Sequence, residues 1–118
     1  MSSQWRIPEG LTEAGQHSAR IIQEFLDGEG LGNCGSDRFY SPDEWAGRGE
    51  QYGDKALLVI THGDPAAATV FNWDYSADGY RLRDELDKRL RAAGTYVECC
   101  TNFYSGVYEA PTDLKTPW

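Results

Sequence analysis

The chain has 118 residues and a formal net charge of −8, from 19 acidic and 11 basic residues. Its length fits one domain with a modest core, and no apolar run approaches the roughly 18 residues that a membrane span needs. An aromatic content of 13% exceeds that of a disordered chain, and the acidic balance argues against direct nucleic-acid binding, because phosphate contacts need a basic surface.

The N-terminal third of the chain predicts one helix. Residues 1–10 are interpreted as an irregular lead-in, since they contain both a proline and a glycine. Thr12 is a favourable N-cap for a helix that runs to about Asp27. Apolar residues at helical spacing would face the core along this helix: Ala14, Ile21, Ile22, Phe25 and Leu26. The glycine-rich stretch 27–35 is interpreted as a connector, because no Gly-Lys-Ser/Thr follows it as in a phosphate-binding loop.

A second, short helix is predicted to begin after Ser41. Ser41, Pro42 and Glu44 occupy the N-cap, N1 and N3 positions of a capping box. Three glycines between residues 47 and 53 limit the length of this helix. Trp45 and Tyr52 would share one of its faces, which predicts a small aromatic cluster beside the core.

Two strand hairpins are predicted in the rest of the chain. The continuous apolar run 56–61 is typical of a buried central strand. A strand over 68–73 would pair back with it after the turn that begins at His62. Residues 95–101 and 103–109 would form the second hairpin, with a turn at Asn102.

Between the two hairpins, a helix is predicted from Asp74 or Ser76 to a C-terminal Gly94. Its buried stripe would be apolar residues at helical spacing: Leu82, Leu86, Leu90 and Ala93. The sequence thus predicts a single α+β domain over 1–118, with irregular ends at 1–10 and 110–118. Its core would be an antiparallel four-stranded sheet of ββαββ order, with this long helix on one face and the N-terminal helix beside it.

The three cysteines, Cys34, Cys99 and Cys100, predict neither a disulfide framework nor a metal site. Their number is odd, and neighbours on a strand point to opposite faces. Together with two histidines they lack the paired spacing of zinc ligands, and no cofactor motif is present. The N-terminal residues lack the apolar core of a signal peptide, so a cytoplasmic location is expected.

His62 and Asp64 are the candidate catalytic residues. A turn directly after a central strand could place an imidazole and a carboxylate in one cleft, where a general base would work. Cys99 or Cys100 could act as a nucleophile nearby. No nucleophile elbow and no second histidine accompany them, and a histidine in this position is more often a hydrogen-bonded turn residue.

Aromatic residues are the first candidates for a binding surface. Alternation along a strand would send Phe71, Trp73 and Tyr75 to one face, and Tyr104 and Tyr108 could extend this rim from the last strand. Rings bordered by acids are common in protein interfaces. The alternative is that these rings close the core beneath the long helix.

Acidic residues are concentrated between Asp27 and Lys55, where seven acids stand against three bases. An acidic face of this kind favours a protein partner with a basic surface, while solubility alone is the alternative reason for it. The predicted contacts in this segment are Trp45 and three acids: Asp43, Glu44 and Glu50.

From Tyr40 onward the chain resembles a family of small uncharacterised proteins carried by phages and other bacterial mobile elements. The resemblance is carried by the segments 41–45, 49–50, 52–53, 57–62, 71–75 and 100–105. It implies a bacterial or phage-infected cell as the setting. It also implies that such a small acidic protein acts by binding and blocking a host or defence protein; it carries over no site residues.

Two functions from different classes follow. The sequence favours a small acidic, non-enzymatic protein-binding module, and the alternative is a small enzyme or ligand-binding domain centred on His62 and Asp64. A monomer or a homodimer is expected; a homodimer could form through an exposed edge strand over 103–108, which has little charge to protect it.

Overall fold

The computed structural model describes residues 5–31, 37–49, 55–71, 77–101 and 103–110. In these residues the helices are α1 (Glu13–Gly28), α2 (Pro42–Ala46), α3 (Pro65–Phe71) and α4 (Ala77–Ala92). The strands are β1 (Phe39–Tyr40), β2 (Leu58–Thr61), β3 (Thr95–Cys99) and β4 (Tyr104–Glu109). The α+β class predicted from the sequence is confirmed.

The described strands form one antiparallel sheet in the order β1-β2-β4-β3. Strand β4 pairs on one side with β2, where Ile60 stands opposite Ser105, and on the other side with β3, where Val97 stands opposite Val107. The predicted hairpin of 95–101 with 103–109 is confirmed. The prediction that the last strand is an exposed edge is wrong, because both of its sides are paired.

The predicted strand over 68–73 is wrong, since the chain forms helix α3 there instead. The first helical position is Pro65, which suits a helix start, and three alanines with high helix propensity follow it. The amide of Ala68 donates to the carbonyl oxygen of Asp64 at 2.9 Å, which closes the first turn. The place of that strand in the sheet is taken by β1, whose two residues pair with β2.

Several helix ends match their sequence signals. The side chain of Thr12 accepts a hydrogen bond from the amide of Gly15, as predicted for the N-cap of α1. The Ser41 hydroxyl accepts from the Glu44 amide while the Glu44 carboxylate accepts from the Ser41 amide, so the capping box is confirmed. After α4, Gly94 adopts a φ of 83°, a left-handed conformation that favours glycine.

The main core lies between the inner face of the sheet and the helices α1, α3 and α4. Its fully buried members come from every one of these layers: Ile22, Phe25, Leu26, Leu58, Ile60, Val70, Leu86, Leu90 and Val107. Trp5 joins this core from the N-terminal lead-in, and its indole donates to the carbonyl oxygen of Leu31 at 2.8 Å. No helix in the described parts of the chain is both long enough and apolar enough to cross a membrane.

A smaller cluster lies on the opposite, outer face of the sheet. It consists of Trp45, Ala56, Val59 and Tyr104, all buried. In the described residues, the element that packs on this face is the short helix α2, whose Trp45 lies over β2 and β4. Among the residues that the structure describes, three helices therefore cover the inner face and one short helix covers the outer face.

We predict that Gly15→Ala destabilises the fold by about 1–3 kcal/mol, because the added methyl group would lie 2.8 Å from the carbonyl oxygen of Leu57. Gly28→Ala is the matched control: it lies at the end of the same helix, has no atom within 4 Å of its added methyl group, and should be neutral or slightly stabilising. Urea unfolding of the two variants checks this; equal effects would contradict the close packing of α1 on the segment before β2.

Candidate functional site

His62 lies at the end of β2 with its ring turned into the core, and none of its surface is exposed. The ring stacks on Phe71 of α3, with centroids 5.3 Å apart. Its Nε2 atom lies 2.8 Å from the hydroxyl oxygen of Ser105, which is equally buried. Its buried Nδ1 atom has no hydrogen-bond partner among the residues that the structure describes.

Burial lowers the pKa of His62 to about 4, because the low-dielectric interior disfavours the charged ring. The carboxylate of Asp37 opposes this shift, and the guanidinium of Arg83 adds to it. The imidazole is therefore neutral at pH 7. A general base must also reach its substrate, and this ring has no open side.

Asp64 follows His62 closely in sequence but makes a different contact. The carboxylate of Asp37 is buried and accepts a hydrogen bond from the Gly63 amide and another from the Asp64 amide, both at 2.8 Å. In the sequence alone, Asp37 was only one of the acids of its segment. His62 forms no hydrogen bond with Asp64. Asp37 thus holds the turn between β2 and α3, and no sequence motif marks this role.

Cys99 is the cross-strand partner of Ser105, so it lies at the same end of the sheet as His62. Its thiol donates to the carbonyl oxygen of Thr101 at 3.0 Å rather than to the imidazole. Cys100 lies on the outer face, where burial raises the pKa of its thiol. The structure therefore gathers His62, Ser105 and Cys99 without forming a thiol–imidazole pair.

Arg83 is a buried arginine of α4 that sequence analysis missed. Its guanidinium donates to the carbonyl oxygens of Phe71 and Val97, at 3.3 and 3.1 Å, and forms an ion pair with Asp87 at 3.1 Å. The Val97 carbonyl faces away from β4, since the bonds to β4 come from the alternate residues. Arg83 thus covers part of the free edge of β3.

The outer face of the sheet carries a series of tyrosines. Tyr96 on β3 and Tyr108 on β4 stand opposite each other, with ring centroids 5.8 Å apart, and both are half-buried. A methyl group at Gly106 would lie 2.9 Å from the Tyr108 hydroxyl, so the missing side chain there makes room for this ring. Burial raises the pKa of Tyr108 to about 12.

Two of the aromatic residues predicted for binding, Trp45 and Tyr104, lie inside the outer cluster with only 1% of their surface exposed. Their rings are 4.7 Å apart. Because they are buried, these two residues can support a binding surface from beneath but do not form part of it. Beside them, Phe103 is 38% exposed and packs edge-on against the Tyr104 ring. The predicted contacts Trp73 and Tyr75 lie outside the described residues.

The acidic segment does not form a single described face. Asp43 and Glu44 are exposed on α2, whereas Asp37 is buried. Glu29 lies at the end of α1, 3.5 Å from the guanidinium of Arg81. Glu50, the third predicted acidic contact, lies outside the described residues. Two acids of this segment, Asp37 and Glu29, therefore make contacts within the fold.

Arg38 and Arg48 converge on Tyr40 at the margin of the outer face. The centres of their guanidinium groups lie 5.0 and 5.3 Å from the centroid of the Tyr40 ring. Arg48 also lies 4.7 Å from the Trp45 ring centroid, and the Nε atom of Arg38 donates to the Tyr40 hydroxyl at 3.0 Å. In the sequence alone, both residues were only bases within an acidic segment. The sequence signal that could have indicated this group was the presence of each arginine close to an aromatic residue, Arg38 two residues before Tyr40 and Arg48 three residues after Trp45.

No family model, curated protein or solved structure matches the chain. Among the described residues, no group of three or more His, Cys, Asp or Glu side chains could hold a metal ion.

We predict that the protein loses stability between pH 7 and pH 5 through His62. The folded-state pKa of about 4 lies below the usual value of 6.5, so the unfolded chain takes up the proton first. The contribution is fully present above about pH 6.5 and is lost as the pH falls toward 4, with about 2 kcal/mol gone by pH 5. Urea unfolding at both pH values measures it.

The control for this prediction is the double variant His62→Leu/Ser105→Ala, which removes both partners of the buried hydrogen bond. Its loss of stability between pH 7 and pH 5 should be smaller than that of the wild type by the same amount. An unchanged difference would show that other groups carry the pH dependence.

We predict that Asp37→Asn destabilises the protein by about 1–3 kcal/mol, because an amide group cannot accept from both the Gly63 and the Asp64 amide. Asp43→Asn, an exposed substitution of the same kind on α2, should leave the unfolding midpoint nearly unchanged. Thermal unfolding compares the two; a similar small shift for both would argue against the anchoring role of Asp37.

Proposed function

We propose that this protein is a small, non-enzymatic protein-binding module that meets its partner with the outer face of its sheet. The observation that carries the proposal is the uneven cover of the two faces in the described residues. Three helices pack on the inner face, while the outer face has the five-residue helix α2. On that face the rings of Tyr40, Tyr96 and Tyr108 retain partial exposure, and the exposed ring of Phe103 packs against Tyr104.

Tyrosine rings held on a rigid sheet suit protein recognition. Each offers a large contact area with few rotatable bonds and a polar hydroxyl at its tip. An exposed antiparallel sheet face normally carries polar side chains in alternation with the core residues. Aromatic rings at these positions therefore favour an interface over a solvated face.

The net charge of −8 supports a protein partner rather than a nucleic acid. At long range it would attract a partner with a basic surface and raise the rate of encounter. The resemblance to proteins of mobile elements adds a setting to the proposal: a cytoplasmic protein that binds and blocks a host or defence protein.

In the described residues, the geometry around His62 does not favour the alternative, an enzyme or ligand-binding domain at His62 and Asp64. The ring is closed off by Phe71 and Ser105, and its neutral state reflects burial rather than preparation for proton transfer. We therefore interpret His62 as a structural residue that joins β2, β4 and α3.

We predict that the double variant Tyr96→Ala/Phe103→Ala loses the partner that the wild type captures from a bacterial lysate. Removing two rings from the contact surface should weaken binding at least about tenfold. Tyr80→Ala is the matched control: this ring is 51% exposed, but it lies on α4, which packs against the other face. Captured proteins are quantified by mass spectrometry after near-UV circular dichroism confirms that all variants are folded.

Two results would count against this proposal. One is that both variants capture the partner as well as the wild type does, which would place the contact elsewhere. The other is the absence of any protein that the wild type captures in stoichiometric amount from lysates of cells carrying candidate partners.

A further inference from the structure

Arg38, Tyr40 and Arg48, which we call the arginine pair on Tyr40, form a compact group at the margin of the outer face. Both arginines are exposed, and both guanidinium centres lie within about 5 Å of the same ring. The fold creates this group from two separate segments. Arg38 directly precedes β1, and Arg48 follows α2. Helix α2, which begins at the capping box of Ser41, therefore places Arg48 beside Tyr40.

Neither guanidinium lies within salt-bridge distance of a carboxylate in the described residues. In the same residues, three arginines of α4 each have one: Arg81 with Glu29, Arg83 with Asp87 and Arg89 with Glu85. The Glu44 carboxylate exerts a weaker electrostatic influence on Arg38 than Tyr40 does, and it is engaged with the Ser41 amide at 2.9 Å. In a chain with a large excess of acids, this arrangement is unexpected for solvated surface arginines.

Ring contacts orient these arginines without using up their donors. A guanidinium over an aromatic ring interacts through its flat face, while its N–H groups point outward in its own plane. Arg38 uses its Nε donor on the Tyr40 hydroxyl, and in the described residues Arg48 donates to no acceptor. The donors that remain are arranged for bidentate contact with a planar anion.

We propose that the arginine pair on Tyr40 binds a carboxylate group of a protein partner, carried by an Asp or Glu side chain in a short segment that also has an apolar residue. The inference rests on the proposed protein-binding function and names the chemistry of its contact. The carboxylate would meet Arg38 and Arg48, and the apolar neighbour would pack on the partly exposed ring of Tyr40.

A protein carboxylate fits this place better than the phosphates of a nucleic acid. A polyanionic strand would face the repulsion of the whole chain, with its charge of −8, whereas one carboxylate on an otherwise basic or neutral partner faces only the local field of two arginines. The same partner can therefore be attracted by the overall charge and placed in register by the arginine pair.

The experiment is a selection of random peptides, with blocked termini, on the immobilised protein. We expect enriched peptides to share an Asp or Glu next to an apolar residue. Replacing that acid by Asn or Gln should weaken binding about tenfold or more, as should Arg38→Gln/Arg48→Gln in the protein. Fluorescence anisotropy of the synthesised peptides measures both effects.

Two further double variants separate the effect of net charge from the effect of the planar guanidinium group. Arg6→Gln/Arg20→Gln makes the same change in net charge at exposed arginines of the N-terminal region and should leave peptide affinity within about twofold of the wild type. Arg38→Lys/Arg48→Lys keeps the charge but loses the planar donors, and should fall between the wild type and the Gln variant.

Other outcomes overturn the proposal. These are selected peptides without a common acid, affinity that does not depend on Arg38 and Arg48, no enrichment at all, or tighter Arg-dependent binding of a single-stranded oligonucleotide. A second copy of this chain as the occupant would appear as an Arg-dependent dimer in size-exclusion chromatography, and would also overturn it.

The outcomes distinguish this inference from the proposed function. If Arg38→Gln/Arg48→Gln still captures the partner that Tyr96→Ala/Phe103→Ala loses, the outer face binds protein and the carboxylate contact is refuted. If neither variant affects capture, both proposals fail together.

Discussion

Strand β4 lies between β2 and β3, and its alternation assigns the candidate residues to opposite sides of the sheet. Ser105 and Val107 face the helices, while Tyr104 and Tyr108 face outward. Since both edges of β4 are paired, its register cannot slip by one residue without exchanging these two sets. The buried polar contact of His62 and the aromatic outer face therefore depend on the same set of backbone hydrogen bonds.

The inner face shows how desolvation decides the role of a histidine. The imidazole between Ser105 and Phe71 is held neutral by burial, and one of its nitrogens has no hydrogen-bond partner in the described part of the chain. A buried polar atom of this kind costs free energy, because it has lost its contact with water. The nearby charges of Asp37 and Arg83 are likewise used within the fold, one at the turn before α3 and the other at the edge of β3.

The outer face is organised by aromatic rings and by the cations that pack on them. Trp45 is buried and fixes α2 on the sheet, which sets the position of Arg48 beside Tyr40. A chain of overall negative charge thus presents a local positive group beside partly exposed rings. In the interface that we propose, the overall charge would attract the partner and the local positive charge would set its register, so the two signs would serve one surface.

Local signals in the sequence by themselves determined the starts of α1 and α2, the end of α4, and the hairpin of β3 and β4. The N-cap Thr12, the capping box at Ser41 and the terminating Gly94 act within one turn of chain, so sequence spacing predicted each of them. The helix α3 was missed, because a short apolar run fits a strand or a helix equally well until its neighbours are known. The two-residue strand β1 was missed because its only support is the pairing with β2.

Only the tertiary structure decided the strand order, the burial of His62, the anchoring role of Asp37 and the meeting of Arg38 with Arg48. Each of these joins residues that are distant along the chain, and the energies involved arise from burial and from contacts that no local pattern encodes. Sequence thus determined the capped ends of α1, α2 and α4, whereas packing determined which side chains are enclosed and which stay exposed.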